Sequence, residues 1–130
     1  HCVSDQTYKG ILNDHSKANY YSNTFVSENA QKTEGYQLSK GILLTDNSSF
    51  FSKPELRIFA DDVKCSHGST IGPVDESALY YLRSRGISKN EAMKMIISSF
   101  IEEDLQNLDK DVANIINNNL SDYLSSLTDD

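Results

Sequence analysis

The sequence is poor in everything that would staple a secreted domain or anchor a chain in a membrane. Its 130 residues hold only two cysteines, Cys2 and Cys65. A disulfide-built secreted domain normally shows more, so reduced thiols are expected. The first residues lack the basic start and apolar run of a signal peptide, and no stretch approaches the roughly 18 apolar residues of a spanning helix. An intracellular protein away from the membrane is therefore expected. Two prolines and six glycines are too few for a collagen-like or wholly disordered chain. The sequence also lacks a glycine-rich phosphate loop, a Gly-Lys-Ser/Thr nucleotide motif and a paired-cysteine knuckle, which removes the motif-based case for an ATPase or a zinc finger. Position 1 is His, with no Met before it. The chain thus reads as a segment of something longer whose core is completed elsewhere.

What is present is unevenly charged. Residues 1–74 carry seven Lys/Arg against eight Asp/Glu, and residues 75–130 carry five against eleven, so most of the net −7 lies in the second half. Such a surface disfavours phosphate backbones, and no basic stripe with interleaved aromatics runs along the sequence, so nucleic acid is not an expected partner. The surplus reads as a solvated helical face.

The apolar pattern changes period near Gly72-Pro73, dividing the chain into residues 1–72 and 73–130. Before it, Tyr8–Leu12, Tyr20–Val26, Gly41–Leu44 and Glu55–Ala60 are aromatic and aliphatic runs separated by Asn, Asp, Ser and Gly. They predict about six to eight short strands. No fixed-period repeat is visible, and a sandwich, a barrel and the last rungs of a solenoid all suit the pattern. After the boundary, Asp75 predicts a helix cap and Gly86 a stop. Ser88 with Glu91 reads as a capping box, and Ala92, Met95, Ile96, Ser99 and Phe100 as the buried stripe of the helix it starts. A third amphipathic segment runs from Leu105 through Leu108, Val112, Ile115, Ile116, Leu120, Tyr123 and Leu124 to Leu127.

The densest polar constellation is Asp61-Asp62-Val63-Lys64-Cys65-Ser66-His67-Gly68-Ser69-Thr70. If it is extended, Cys65 and His67 project from one face, placing a thiolate-capable sulfur beside an imidazole. Both suit zinc or iron with sulfide, but a closed site needs about four ligands and this stretch supplies two. A partner chain could complete it. Equally open are a Cys acting as a small hydrophobe beside a hydrogen-bonded His, and a Cys-His nucleophile whose orienting group one sequence does not reveal. Asp61-Asp62 reads as a turn with local side-chain bonds rather than a ligand pair. His1 and His15 read as surface residues.

Taken in order, Tyr8-Lys9-Gly10, Ala30-Gln31-Lys32-Thr33, Tyr36-Gln37, Lys53-Pro54-Glu55-Leu56, Ala60 to Gly68, and Tyr80-Tyr81-Leu82-Arg83-Ser84-Arg85-Gly86-Ile87 resemble the C-terminal part of the SufB/SufD family. These are scaffold proteins of the SUF iron-sulfur cluster assembly system. The likeness covers roughly residues 8–103, and Lys-Cys-Ser-His-Gly with a following Thr resembles the SufD branch, SufB having a Glu-containing version. Gly41 stands where the family often has Asn, Ser69 where Ala is usual, and nothing after Asp104 matches.

The resemblance implies a β + α fold: terminal rungs of a right-handed parallel β-helix followed by a C-terminal helical domain. It implies a non-enzymatic scaffold that pairs with SufB through the β-helix edge, with His67 and neighbouring Cys65 as the candidate shared assembly site. The iron-sulfur cluster would be transient and shared, with none tightly bound to this segment. It implies that the helical domain docks the ATPase SufC through the stretch from Asp75 to Ile101, with Asp75, Leu79, Leu82, Arg83 and Arg85 as candidate contacts. The implied compartment is bacterial cytoplasm or a plastid, including an apicoplast. A structural interaction module in which Cys65 and His67 only pack is the rival reading. Either way, cut rungs leave an open edge that can recruit another chain, including a second copy.

Overall fold

The computed structural model describes residues 1–106 and 108–126. The chain divides into two units, His1–Pro73 and Val74–Asp130.

The first unit holds five ten-residue strands: β1 (Val3–Leu12), β2 (Lys17–Val26), β3 (Glu34–Leu43), β4 (Ser49–Ile58) and β5 (Lys64–Pro73). They form two all-parallel sheets, one ordered β1-β3-β5 and the other β2-β4, and the chain alternates between them. The expectation of six to eight short strands gives way to fewer, longer ones. Each predicted run overlaps a longer strand, many of whose other residues are polar yet still paired, and Leu44, Phe59 and Ala60 lie just beyond the strand ends.

Val3 pairs with Glu34, Lys17 with Ser49 and Glu34 with Lys64, so the chain returns to the same sheet after 31, 32 and 30 residues. The repeat missing from the sequence pattern is therefore present in the backbone. The corners stack as well. Thr45 Oγ1 donates to Asp14 O at 2.6 Å, and Asp62 N donates to Gln31 Oε1 at 2.9 Å, each bond joining corners one repeat apart. Asp14 and Lys32 turn these corners with φ of 53° and 59°, a left-handed conformation that Asp tolerates better than Lys.

The core of this unit lies between the sheets. Because parallel partners in register point the same way, Tyr8, Gly10 and Leu12 of β1 share a face with Ser39 and Gly41 of β3. That face meets the second sheet: Tyr8 stacks on Tyr20 with ring centroids 4.3 Å apart and lies 5.9 Å from Phe50. Leu12, Val26 and Phe50 are buried. A β-carbon built on Gly41 would lie 2.3 Å from Phe50 Cδ1, so the ring occupies the space where the resemblance expects an Asn side chain.

The second unit is helical: α1 (Glu76–Ser84), α2 (Lys89–Leu105) and α3 (Lys110–Ser126). The Asp75 carboxylate accepts from Ser77 N and Ala78 N, capping α1 as predicted. Gly86 follows the helix with φ of 88°, which suits glycine. Ser88 Oγ accepts from Glu91 N at 3.2 Å, while the Glu91 carboxylate lies 3.3 Å from Lys94 Nζ.

The α2 stripe differs from the expected one. Ala92, Ile97 and Leu105 are buried, whereas Met95 and Ser99 are exposed. Apolar residues surround much of α2, and the buried side lies about one residue further round the helix. In α3 only Leu120 and Leu124 are buried; Val112, Ile115 and Tyr123 face out. Leu105 belongs to α2, and Leu127 lies outside the described residues. No helix among the described residues is long and apolar enough to cross a membrane.

Candidate functional site

The Cys-Ser-His stretch is extended, as the alternation argument requires, and it begins β5. Cys65 pairs with Gly35 and His67 with Gln37. Cys65 is half-buried, His67 is exposed, and both cysteines are free thiols. A β-carbon built on Gly35 would lie 3.2 Å from Cys65 Sγ and 3.8 Å from Thr24 Cγ2, so the sulfur sits on the side of the sheet that faces β2. His67, two residues on, projects from the same side. At the usual strand rise the two α-carbons are about 7 Å apart.

The neighbour of His67 in register is a fixed polar group. Gln37 is buried, its Oε1 accepts from Ser22 Oγ at 3.2 Å, and its Nε2 donates to Thr24 Oγ1. Ser22 and Thr24 belong to β2, so the amide is held from the opposite sheet. Sequence reasoning missed Gln37 and Gly35 because their closeness to the motif depends on the return of about 30 residues. That return was the signal available in principle.

Position in the sheet matters as much. Among the described residues β5 pairs only with β3, leaving its other edge without a strand. A ten-residue edge of this kind carries unpaired backbone donors and acceptors that favour another strand. Cys65 and His67 therefore occupy a strand with one free edge. They supply a soft and a borderline donor, which fits half of an iron-sulfur or zinc ligand set. Among the described residues no three His, Cys, Asp or Glu side chains are grouped to hold a metal ion. Asp61 and Asp62 lie in the exposed bend before β5, where the backbone N–H of Asp62 donates to Gln31 Oε1 and its carbonyl accepts from Lys32 N.

The candidate contacts of the helical unit are placed differently from one another. Leu79 is buried and Leu82 half-buried, while Asp75 caps the helix. Arg83 and Arg85 are exposed, and Arg85 Cζ lies 5.2 Å from the centroid of Tyr81, itself exposed.

Residues 1–100 match the family described as SUF system FeS cluster assembly, SufBD core domain. The chain belongs to the SufBD family. That match takes in the whole strand unit, α1 and most of α2, and leaves α3 outside. Relatives include the iron-sulfur cluster assembly protein SufD of Escherichia coli, 41% identical over 102 residues covering 78% of this chain and 24% of the relative. Protein ABCI7, chloroplastic, of Arabidopsis thaliana is 40% identical over 102 residues, 78% of this chain and 22% of the relative. SufD of Plasmodium falciparum is 31% identical over 106 residues, 81% of this chain and 7% of the relative. The chain thus spans a quarter or less of these relatives.

Proposed function

We propose that this chain is the part of a SufD-type scaffold subunit that brings one half of a cluster assembly site to its partner. The observation carrying this reading is the position of Cys65 and His67 on one side of an edge strand that, among the described residues, pairs only with β3. SufB is the proposed partner along that edge, supplying the remaining ligands. The cluster is cargo, formed at the junction and passed on. Gln37 beneath His67 supplies a rigid polar neighbour, the kind of support that orients ligands. In this reading the chain has no catalytic centre. The helical unit docks SufC, the ATPase of the assembly, with Arg83 and Arg85 as its available charged contacts. The setting is bacterial cytoplasm or a plastid.

The strand unit is proposed to be the end of a right-handed parallel β-helix. Constant 30–32-residue returns and stacked corners support a coil. The handedness follows from the strong preference of parallel crossovers for the right-handed sense.

The test is anaerobic cluster reconstitution on the full-length SufB-SufC-SufD complex carrying His67→Ala, Cys65→Ala or both, with iron and sulfide quantified per complex. Loss of yield with an intact complex is expected, larger for the double variant. Unchanged yield in the double variant would leave the chain a purely structural interaction module. Separately, Arg83→Glu with Arg85→Glu is expected to weaken SufC capture, and undiminished capture removes these residues from the docking surface.

A further inference from the structure

The free edges of β4 and β5 differ in what they offer another strand. Among the described residues β4 pairs only with β2, and β5 only with β3. In a parallel ladder each residue turns its N–H and C=O toward one neighbour, and successive residues alternate. Ser49 N donates to Ser16 O at 3.0 Å and Phe59 N to Val26 O at 2.9 Å, so the odd-numbered residues of β4 face β2. Phe50, Ser52, Pro54, Leu56 and Ile58 therefore face the free edge. The middle position of that edge is a proline, in register with Ser22 and without an N–H to donate.

The same alternation gives the opposite result on β5. Lys64 N donates to Thr33 O at 2.9 Å, so Cys65, His67, Ser69 and Ile71 turn their N–H and C=O to the free edge, and each has a donor. The outward side chains add to the contrast. On β4 they include Lys53, Glu55 and Arg57, an ion-paired row with contacts of 2.8 and 3.9 Å. On β5 the residues alternating with Cys65 and His67 are Ser66, Gly68 and Thr70, small and uncharged. Proline and charge are features that keep strands from adding to a sheet edge. β4 carries both; from Cys65 to Ile71, β5 has no proline and no Lys, Arg, Asp or Glu.

We propose that Pro54 is an edge guard: it closes β4 to strand addition and leaves β5, of these two edges, as the one that accepts a strand from outside. A strand laid along β4 meets the proline ring where its central carbonyl needs a donor, whereas one laid along β5 finds an unbroken row of donors and acceptors. The residue thus selects which sheet is extended. Without it both sheets can take a strand, and chains can join at both edges without closing. This inference holds whatever pairs with β5 and does not use the cluster reading.

Two measurements on the full-length protein test it. In the wild type, hydrogen exchange resolved to single amides is expected to be at least about tenfold faster at Phe50, Ser52 and Leu56 than at Phe51, Lys53 and Glu55, because only the second set is held by β2. Equal protection of the two sets would mean that the edge is already covered, and would overturn the proposal. Pro54→Val restores an N–H within a good strand former. In sedimentation velocity at equal concentration its average mass is expected to rise at least about twofold over wild type, with the thermal midpoint not lowered. Adding Ser52→Pro, which puts a proline at the neighbouring free-edge position, is expected to return the mass to the wild-type value. An unchanged mass in Pro54→Val overturns the proposal. So does a rise that comes with a lowered midpoint and survives Ser52→Pro, since unfolding then causes it.

Discussion

The thiol sulfur of Cys65 sits over the bare α-carbon of Gly35, 3.2 Å from where a β-carbon on that glycine would be. The glycine thus seats the sulfur on the side of the sheet facing β2, and a methyl group there would displace it. In a Cys2→Ser background, Gly35→Ala is expected to raise the alkylation rate of Cys65 several-fold while the fold is kept, because access limits a half-buried thiol. An unchanged rate would mean that the sulfur does not depend on that space.

Gly41 and Phe50 form a tighter fit. The built β-carbon at 41 would collide with two ring atoms, at 2.3 and 2.9 Å, whereas one at Gly72 meets nothing within 4 Å. Gly41→Ala is expected to destabilise the strand unit by about 1–3 kcal/mol in urea unfolding. Gly72→Ala should cost much less, and Phe50→Leu should offset part of the Gly41→Ala loss. Equal effects at 41 and 72 would show that the ring yields.

The carboxylate of Asp75 holds two amides at the start of α1. Asp75→Ala is expected to cost about 1 kcal/mol of helical-unit stability, and Asp75→Asn much less. Thermal unfolding followed at 222 nm distinguishes them. Equal losses would indicate that charge, not hydrogen bonding, supports this terminus.

Glu55 titrates below its ordinary value, first because it accepts a hydrogen bond from Lys53 and then because of that ammonium's charge; the same contacts raise Lys53. A lowered folded-state value means the stabilisation from Glu55 is present above its unfolded value and fades as pH falls through the folded one. Raised Lys53 has the opposite sense: its contribution is complete below its unfolded value and disappears as pH climbs past the folded one. Lys53 is exposed and Glu55 half-exposed, so salt should screen the pair. NMR titration is expected to show the Glu55 midpoint moving up with Lys53→Gln or in about 0.5 M salt. A midpoint indifferent to both would remove the pair.

The parts legible from sequence are those whose causes are local. Asp75 and Gly86 end a helix with their own side chain or backbone freedom, and Tyr8–Leu12 and Tyr20–Val26 reveal strands because one face of each packs on the opposite sheet. β5 was harder to read. Its Ser, His, Gly and Thr residues are largely exposed, and pairing with β3 holds the strand. The repeat was hidden for a related reason. Stacked positions need compatible size rather than identity, so Gln6, Gln37 and His67 fall in one column, as do Ser4, Gly35 and Cys65. The facing direction of Cys65 and His67 followed from alternation alone, whereas the company of Gly35 and Gln37 required the register.

The central claim is that His67 contributes to a cluster shared across the edge of β5. Pulsed EPR on the reduced cluster of the full-length complex, with this subunit's histidines labelled with nitrogen-15, measures this directly. The account predicts a nitrogen-15 coupling that disappears in His67→Ala. A fully formed cluster with no such coupling, or with a coupling that survives His67→Ala, would contradict it.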